Sequence, residues 1–147
     1  MRKYLYIGIG GFLGAIFRFS VKNVQLADNI ANIPLSTLFV NISGCFFLAF
    51  ILTAAFSFIK LDADIRLGLS TGLLGAYTTF STLCKETVQL LENGMYLASF
   101  AYISLTVLLG FAAAYAGFVT ARVLEDFLAR RHAAAFEIKD DADEEAG

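Results

Sequence analysis

Uncharged stretches set the pattern of this chain. Residues 4–17, 29–59, 67–84 and 93–121 contain no Asp, Glu, Lys or Arg. A bilayer core about 30 Å thick takes roughly 20 apolar residues of helix to cross. The runs predict four transmembrane helices, over about residues 4–22, 36–58, 66–91 and 95–121. The expected fold class is therefore an all-α membrane protein. Too little polar surface remains for a water-soluble helical domain. The connections are short. Asn23, Asp28, Asn29 and Pro34 predict a turn followed by a helix start, and Glu92-Asn-Gly94 is a turn signal. The link from Lys60 to Asp64 is brief, and no connection holds a soluble domain. Glycines and Arg18 interrupt the first apolar stretch, which argues against a cleaved signal peptide.

Composition changes this picture only at the end of the chain. The sequence has 147 residues, 58% of them hydrophobic, and a formal net charge of −2. That average conceals a split. Residues 137–147 hold six acids against Lys139, a composition expected of a disordered, solvated tail. Residues 123–136 are expected to extend the last helix into water. Arg130 and Arg131 suit lipid headgroups better than nucleic acid. Residues 1–122 thus form one transmembrane domain, and 123–147 an extension and acidic tail. Cys45 and Cys84 lie in apolar segments and read as small packed residues; His132 is the single histidine. A histidine metal cluster within one chain is therefore excluded.

An even number of helices puts both termini on one side. Arg2, Lys3, Lys60, Arg66, Arg122, Arg130, Arg131 and Lys139 lie on that side, and Lys22 on the other. The positive-inside rule then favours cytoplasmic termini.

Small residues mark close helix contacts. Gly10 and Gly14 in the first helix form a small-xxx-small pair. Gly110, Ala114, Gly117 and Ala121 recur at helical spacing in the fourth. The first-helix glycines lack GxGxxG spacing and a βαβ context, so a dinucleotide site is rejected. A lone four-helix chain has little interior for a polar path, and a symmetric dimer would supply one.

Polar residues inside the apolar runs carry the candidate chemistry. Thr37, Asn41 and Cys45 share one face of the second helix at i, i+4, i+8. Asn41 has two donors and two acceptor lone pairs, which cost free energy in a bilayer unless paired. Interhelical bonding and an anion-facing donor both fit its spacing. In the third helix Gly72 and Gly75 loosen the backbone, and Tyr77, Thr78, Thr79, Ser81 and Thr82 surround Phe80. A helix interrupted at membrane depth survives only where protein or water covers the freed backbone. Such breaks mark ion or substrate sites. Hydroxyls can satisfy the freed groups or donate to an anion, and an aromatic ring has a positive edge. Tyr102 and Thr106, at i, i+4 in the fourth helix, either continue a hydroxyl track or bond to neighbouring helices. Arg18 either snorkels to the headgroups or draws anions into a vestibule. Lys85 and Glu86 are expected near the end of the third helix, where snorkelling is again open to them; Glu86 can also bind a proton or an ion.

Three blocks of this sequence resemble the Fluc/CrcB family of fluoride channels. They are Gly10-Gly11-Phe-Leu-Gly14-Ala15-Ile-Phe-Arg18, Pro34-Leu-Ser-Thr37-Leu-Phe-Val-Asn41-Ile-Ser-Gly44, and Gly72-Leu-Leu-Gly75-Ala-Tyr-Thr78-Thr79-Phe80-Ser81-Thr82 with Glu86. The resemblance runs over most of residues 7–120. It implies a passive fluoride-selective channel in the plasma membrane of a prokaryote, protecting the cell from fluoride. It implies an antiparallel, dual-topology homodimer with two pores and a central structural sodium ion. By motif position the sodium would be held by backbone carbonyls of Gly75 and Thr78. Asn41, Phe80, Leu83, Thr37, Ser81, Thr82, Glu86, Tyr102 and Thr106 would belong to the fluoride pore, and Arg18 to its entrance. Fluoride, the lipid bilayer and a second copy are the partners implied, with no nucleic acid.

Two departures qualify the resemblance. The family's usual block ends in a second Phe where this chain has Leu83, so a ring edge is missing three residues after Phe80. The Lys/Arg excess on one side opposes dual topology, but the motif is more specific than loop counting and decides the expectation. A proton-coupled multidrug exporter of similar size needs a membrane-embedded carboxylate, and the first helix has none. A non-transporting assembly subunit explains the glycine stripes but not the hydroxyl-rich break. No nucleophile–base constellation points to an enzyme.

Overall fold

A computed structural model describes residues 1–23, 33–59 and 61–145, with side chains described as far as Arg131. The expected turn at Asp28 and Asn29, Lys60, and the side chains of the acidic tail lie outside these residues. Among the described residues the chain is helical, with no strand. The helices are α1 (Arg2–Asn23), α2 (Leu35–Ser57), α3 (Ala63–Leu67), α4 (Gly75–Tyr77), α5 (Phe80–Glu92) and α6 (Tyr96–Glu145). A π-helical segment, Gly68–Leu74, joins α3 to α4.

Among the described residues three helical stretches are long and apolar enough to cross a membrane: Arg2–Asn23, Leu35–Ser57 and Tyr96–Arg131. The chain is a multi-pass membrane protein. The third expected span is assembled from α3, the π segment, α4 and α5, none long enough alone. The backbone of α6 continues as helix to Glu145, past the expected end of the fourth span.

Local chemistry sets several boundaries. The Asp62 carboxylate accepts from the Asp64 N–H at 2.8 Å and caps α3. Thr79 caps α5 in the same way, accepting from the Thr82 N–H at 3.2 Å. The turn from α5 to α6 uses Gly94 at φ +73°, a conformation side chains oppose.

The spans pack in two pairs. α1 lies against the π segment and α4, while α2 runs along α6. Glycines set both crossings. A Cβ on Gly10 would lie 2.9 Å from the Leu73 nitrogen and would also strike the Gly68 carbonyl; one on Gly14 would strike the Leu73 carbonyl. From the other side, a Cβ on Gly72 would sit 2.6 Å from the Ile7 carbonyl oxygen. The expected Gly10/Gly14 pair is thus the contact face of α1. At the second crossing a Cβ on Gly117 would strike the Phe46 carbonyl, and Gly110 faces the Cys45 sulfur. α5 leans on α6, and Leu38, Leu83, Leu90 and Tyr102 form a buried cluster joining α2, α5 and α6. At the far end the Arg66 guanidinium lies 4.1 Å from the Phe56 ring centre, tying α3 to the last turn of α2.

Candidate functional site

The third span changes direction at two residues. Thr78 (ψ 157°) and Thr79 (φ −146°, ψ 108°) are extended, between the end of α4 and the start of α5. One side chain from another helix holds them there. Asn41 Nδ2 donates to the Thr79 carbonyl at 3.2 Å, and Asn41 Oδ1 accepts from the Thr79 N–H at 2.8 Å. The primary amide thus pairs with one residue's backbone as a neighbouring strand would. Gly44, three residues on, makes room: a Cβ there would strike the Thr78 methyl. Tyr77 is fixed by its hydroxyl, 2.8 Å from the Ser43 oxygen. Thr78 bonds back, donating from N and Oγ1 to the Leu74 carbonyl, each at 3.0 Å.

These bonds redirect two helical donors. In a continuous helix the Thr79 N–H would serve the Gly75 carbonyl, and the Thr82 N–H the Thr78 carbonyl. The first donates to Asn41 and the second to Thr79 Oγ1. The carbonyls of Gly75 and Thr78 therefore lose their i+4 partners, the kind of oxygen that suits a hard cation.

The surface beside the break is open. Phe80 is 78% exposed, and Gly75 and Ser81 are exposed with it. Thr79 Oγ1 lies 2.8 Å from Thr82 Oγ1 and 3.4 Å from Ser81 Oγ, forming a short row of hydroxyls. An open cavity of about 380 Å³ runs along this face, lined by Asn41, Cys45, Thr78, Phe80, Leu83 and Thr106 among others. Leu83 lines the same cavity as Phe80, but from deeper in the fold. It is only 9% exposed, turned into the α2–α5–α6 cluster and touching the cavity from its floor. Spacing of i, i+3 spreads the two side chains around α5, and the Tyr102 side of the helix captures the leucine.

A second polar group sits farther along α5. Glu86 lies halfway along α5, which ends at Glu92, one residue past the expected end of the third span. Thr37 Oγ1 donates to Glu86 Oε1 at 2.9 Å, and Tyr102 OH donates to Oε2 at 2.7 Å. Lys22 Nζ stands 4.0 Å from Oε1. Thr37 and Tyr102 are fully buried. Thr106 bonds back to the Tyr102 carbonyl at 2.7 Å and so reaches the Asn41 cavity rather than Glu86. Arg18 lies one turn before Lys22 on α1, half-buried. Among the described residues no buried side-chain nitrogen or oxygen lacks a partner. The inward polar groups are thus satisfied, and free capacity lies at the exposed hydroxyls, the ring edge and the two carbonyls.

The sequence model of the family described as "CrcB-like protein, Camphor Resistance (CrcB)" matches residues 5–118. The chain belongs to the CrcB family. The matched region takes in the whole of both polar groups, from Lys22 to Thr106. Curated CrcB relatives include "Fluoride-specific ion channel FluC 1" of Bacillus anthracis, 37% identical over 134 residues, covering 90% of this chain and 95% of the relative. "Fluoride-specific ion channel FluC" of Chlorobium phaeobacteroides is 40% identical over 120 residues, covering 82% and 92%. "Fluoride-specific ion channel FluC 2" of Carboxydothermus hydrogenoformans is 39% identical over 132 residues, covering 90% and 96%. By name these CrcB relatives are ion channels and not enzymes.

Three residues at the CrcB site escape a reading by spacing. Gly44 is signalled only by its place one turn after Asn41. Ser43 resembles any helical serine until Tyr77 meets it. Lys22 resembles an ordinary interfacial lysine until Glu86 is placed.

Proposed function

We propose that this protein is a passive fluoride channel of a prokaryotic plasma membrane, working as an antiparallel homodimer with two pores. The observation that carries this reading is the Asn41-clasped break, which presents Phe80, Ser81 and unbonded carbonyls on an open face at membrane depth. Backbone without its helical partners is tolerated in a bilayer only under protein or beside water. A second copy is the simplest cover. A two-fold contact repeats every feature, so one half-lining per chain becomes two equivalent pores.

Fluoride is small and holds its water tightly. Its path must replace that water with donors. Ser81 and Thr82 supply hydroxyls, braced by the buried Thr79, and the exposed Phe80 supplies ring edges. Asn41 holds the backbone turn that sets these groups in a row. Thr37, Glu86 and Tyr102 continue the polar route, Thr106 lines it beside Asn41, and Arg18 raises the local concentration of anions near one entrance.

The carbonyls of Gly75 and Thr78 fit a sodium ion. Each copy offers two, so a pair of copies around one axis offers four. A bound sodium would supply positive charge at the dimer centre and hold the two breaks together. Fluoride trapped in a near-neutral cytoplasm after entry as the weak acid would leave down its gradient.

The test is fluoride efflux from liposomes carrying the purified protein, with chloride as the paired control. Fluoride efflux without chloride efflux is the expected result. Efflux of neither ion, or of both equally, overturns the proposal. A second result is expected from Leu83→Phe. It adds a ring edge at the cavity floor and should raise fluoride efflux. It also overpacks the Leu38–Tyr102 cluster, with a stability loss of about 1–3 kcal/mol. Unchanged efflux from folded Leu83→Phe would show that Phe80 and the hydroxyls suffice.

A further inference from the structure

We propose that Lys22 is the counter-charge of Glu86 and the donor that receives the anion at the α2 N-terminal end of the polar route. The inference rests on the fluoride-channel reading above and adds a residue to it. An ionised carboxylate is an acceptor only. Both oxygens of Glu86 are taken by hydroxyl donors, Thr37 on Oε1 and Tyr102 on Oε2. Neutral donors hold the group in place without cancelling its charge. Those two hydroxyl protons are also spent, so neither is free for a passing anion. Left alone, the cluster would be a fixed negative charge on an anion's route.

Lys22 changes that balance. Its ammonium stands 4.0 Å from Glu86 Oε1, within reach of attraction but beyond a good hydrogen bond. Its side chain is 33% exposed against 18% for Glu86, so the lysine forms the outer side of the pair. An ammonium has three N–H donors, and a loose contact with one oxygen leaves donors for an anion that has shed part of its water. A contact this long is loosely held, so the ammonium can leave the carboxylate and return. Its place in the last turn of α1 also suits a cation. Lys85 is exposed beside Glu86 on α5 but makes no ion pair with it among the described residues.

The test is a double-mutant cycle on fluoride efflux from liposomes. Lys22→Gln should slow efflux about tenfold, the low end of what a charge at a focusing mouth contributes. Lys22→Arg should restore most of the rate. In a Glu86→Gln background the same Lys22→Gln change should cost clearly less, because the counter-charge role is gone and only the donor role is lost. Added inert salt should narrow the gap between Lys22→Gln and the unsubstituted protein. Lys22→Met, which keeps the apolar stem, replaces Lys22→Gln if the latter does not fold. Equal efflux from Lys22→Gln and the unsubstituted chain would overturn the proposal. So would the same fold-loss in both Glu86 backgrounds, which leaves no coupling between the lysine and the carboxylate. Absence of fluoride efflux from the unsubstituted protein would instead overturn the channel reading itself, and this role with it.

Discussion

Asn41→Asp is expected to lower fluoride efflux by about a hundredfold or more while leaving the protein folded. The amide makes two bonds to one backbone residue, donating to the Thr79 carbonyl and accepting from the Thr79 N–H. Aspartate keeps the second and loses the first. Its other oxygen then faces a carbonyl oxygen where 3.2 Å now separates donor from acceptor. The extended pair is released from one side, and the carbonyls it frees are no longer aimed. The new charge also lies beside the Phe80 cavity. A unit charge about 4 Å from an anion costs about 4 kcal/mol at an effective dielectric near 20, and about 1.4 kcal/mol is already tenfold. Screening by nearby water reduces that figure, so a hundredfold is the lower expectation. Efflux assays on protein that matches the unsubstituted chain in size exclusion decide it. Efflux within a factor of about two of the unsubstituted protein would remove Asn41 from the pore.

Gly14→Val is expected to have the largest effect on stability. The new Cβ would meet the Leu73 carbonyl, with the Leu73 carbonyl carbon 2.9 Å and the Ala76 Cβ 3.1 Å away. Backbone cannot turn aside as a flexible side chain does. α1 must therefore separate from the π segment, and a loss of about 3 kcal/mol or more is expected, at the top of the overpacking range. Gly8→Ala is the matched control, because nothing lies within 4 Å of a Cβ there. Thermal unfolding in detergent, followed by the loss of the folded peak in size exclusion, checks both. A Gly14→Val protein as stable as the Gly8→Ala control would mean that this crossing is looser than its geometry.

The sequence carried the spans and the helix contacts more fully than the site. Uncharged runs are read directly by a bilayer, so α1, α2 and α6 stand where composition puts them. The Gly10/Gly14 spacing also survives intact, because close approach demands a missing side chain whatever the partner. The third span was legible as glycines followed by hydroxyls. The choice of Thr78 and Thr79 as the extended pair was not, because Asn41 makes it from a different helix. The partners of Glu86 were hidden for a related reason. Its neighbours in sequence suggest an interface, whereas Thr37 and Tyr102 enclose it from two other helices. Leu83 shows the limit of facial arithmetic. One turn of α5 separates a ring 78% exposed from a leucine 9% exposed, and only the packing of α6 decides which side is inside.

The division of the third span between two neighbours has a consequence for its biosynthesis. Its first half, through α4, rests on α1, which leaves the ribosome before it. Its second half, α5, rests on α6, the last element to be made. Chains begin to fold from the N-terminus as they are synthesised. The first half therefore finds its partner as soon as it emerges, while α5 waits for the rest of the chain. The Asn41 clasp lies at the seam between these two stages. Both of its partners, on α2 and just before α5, leave the ribosome ahead of α6, so the break can take its shape before the helix that supports α5 has been made.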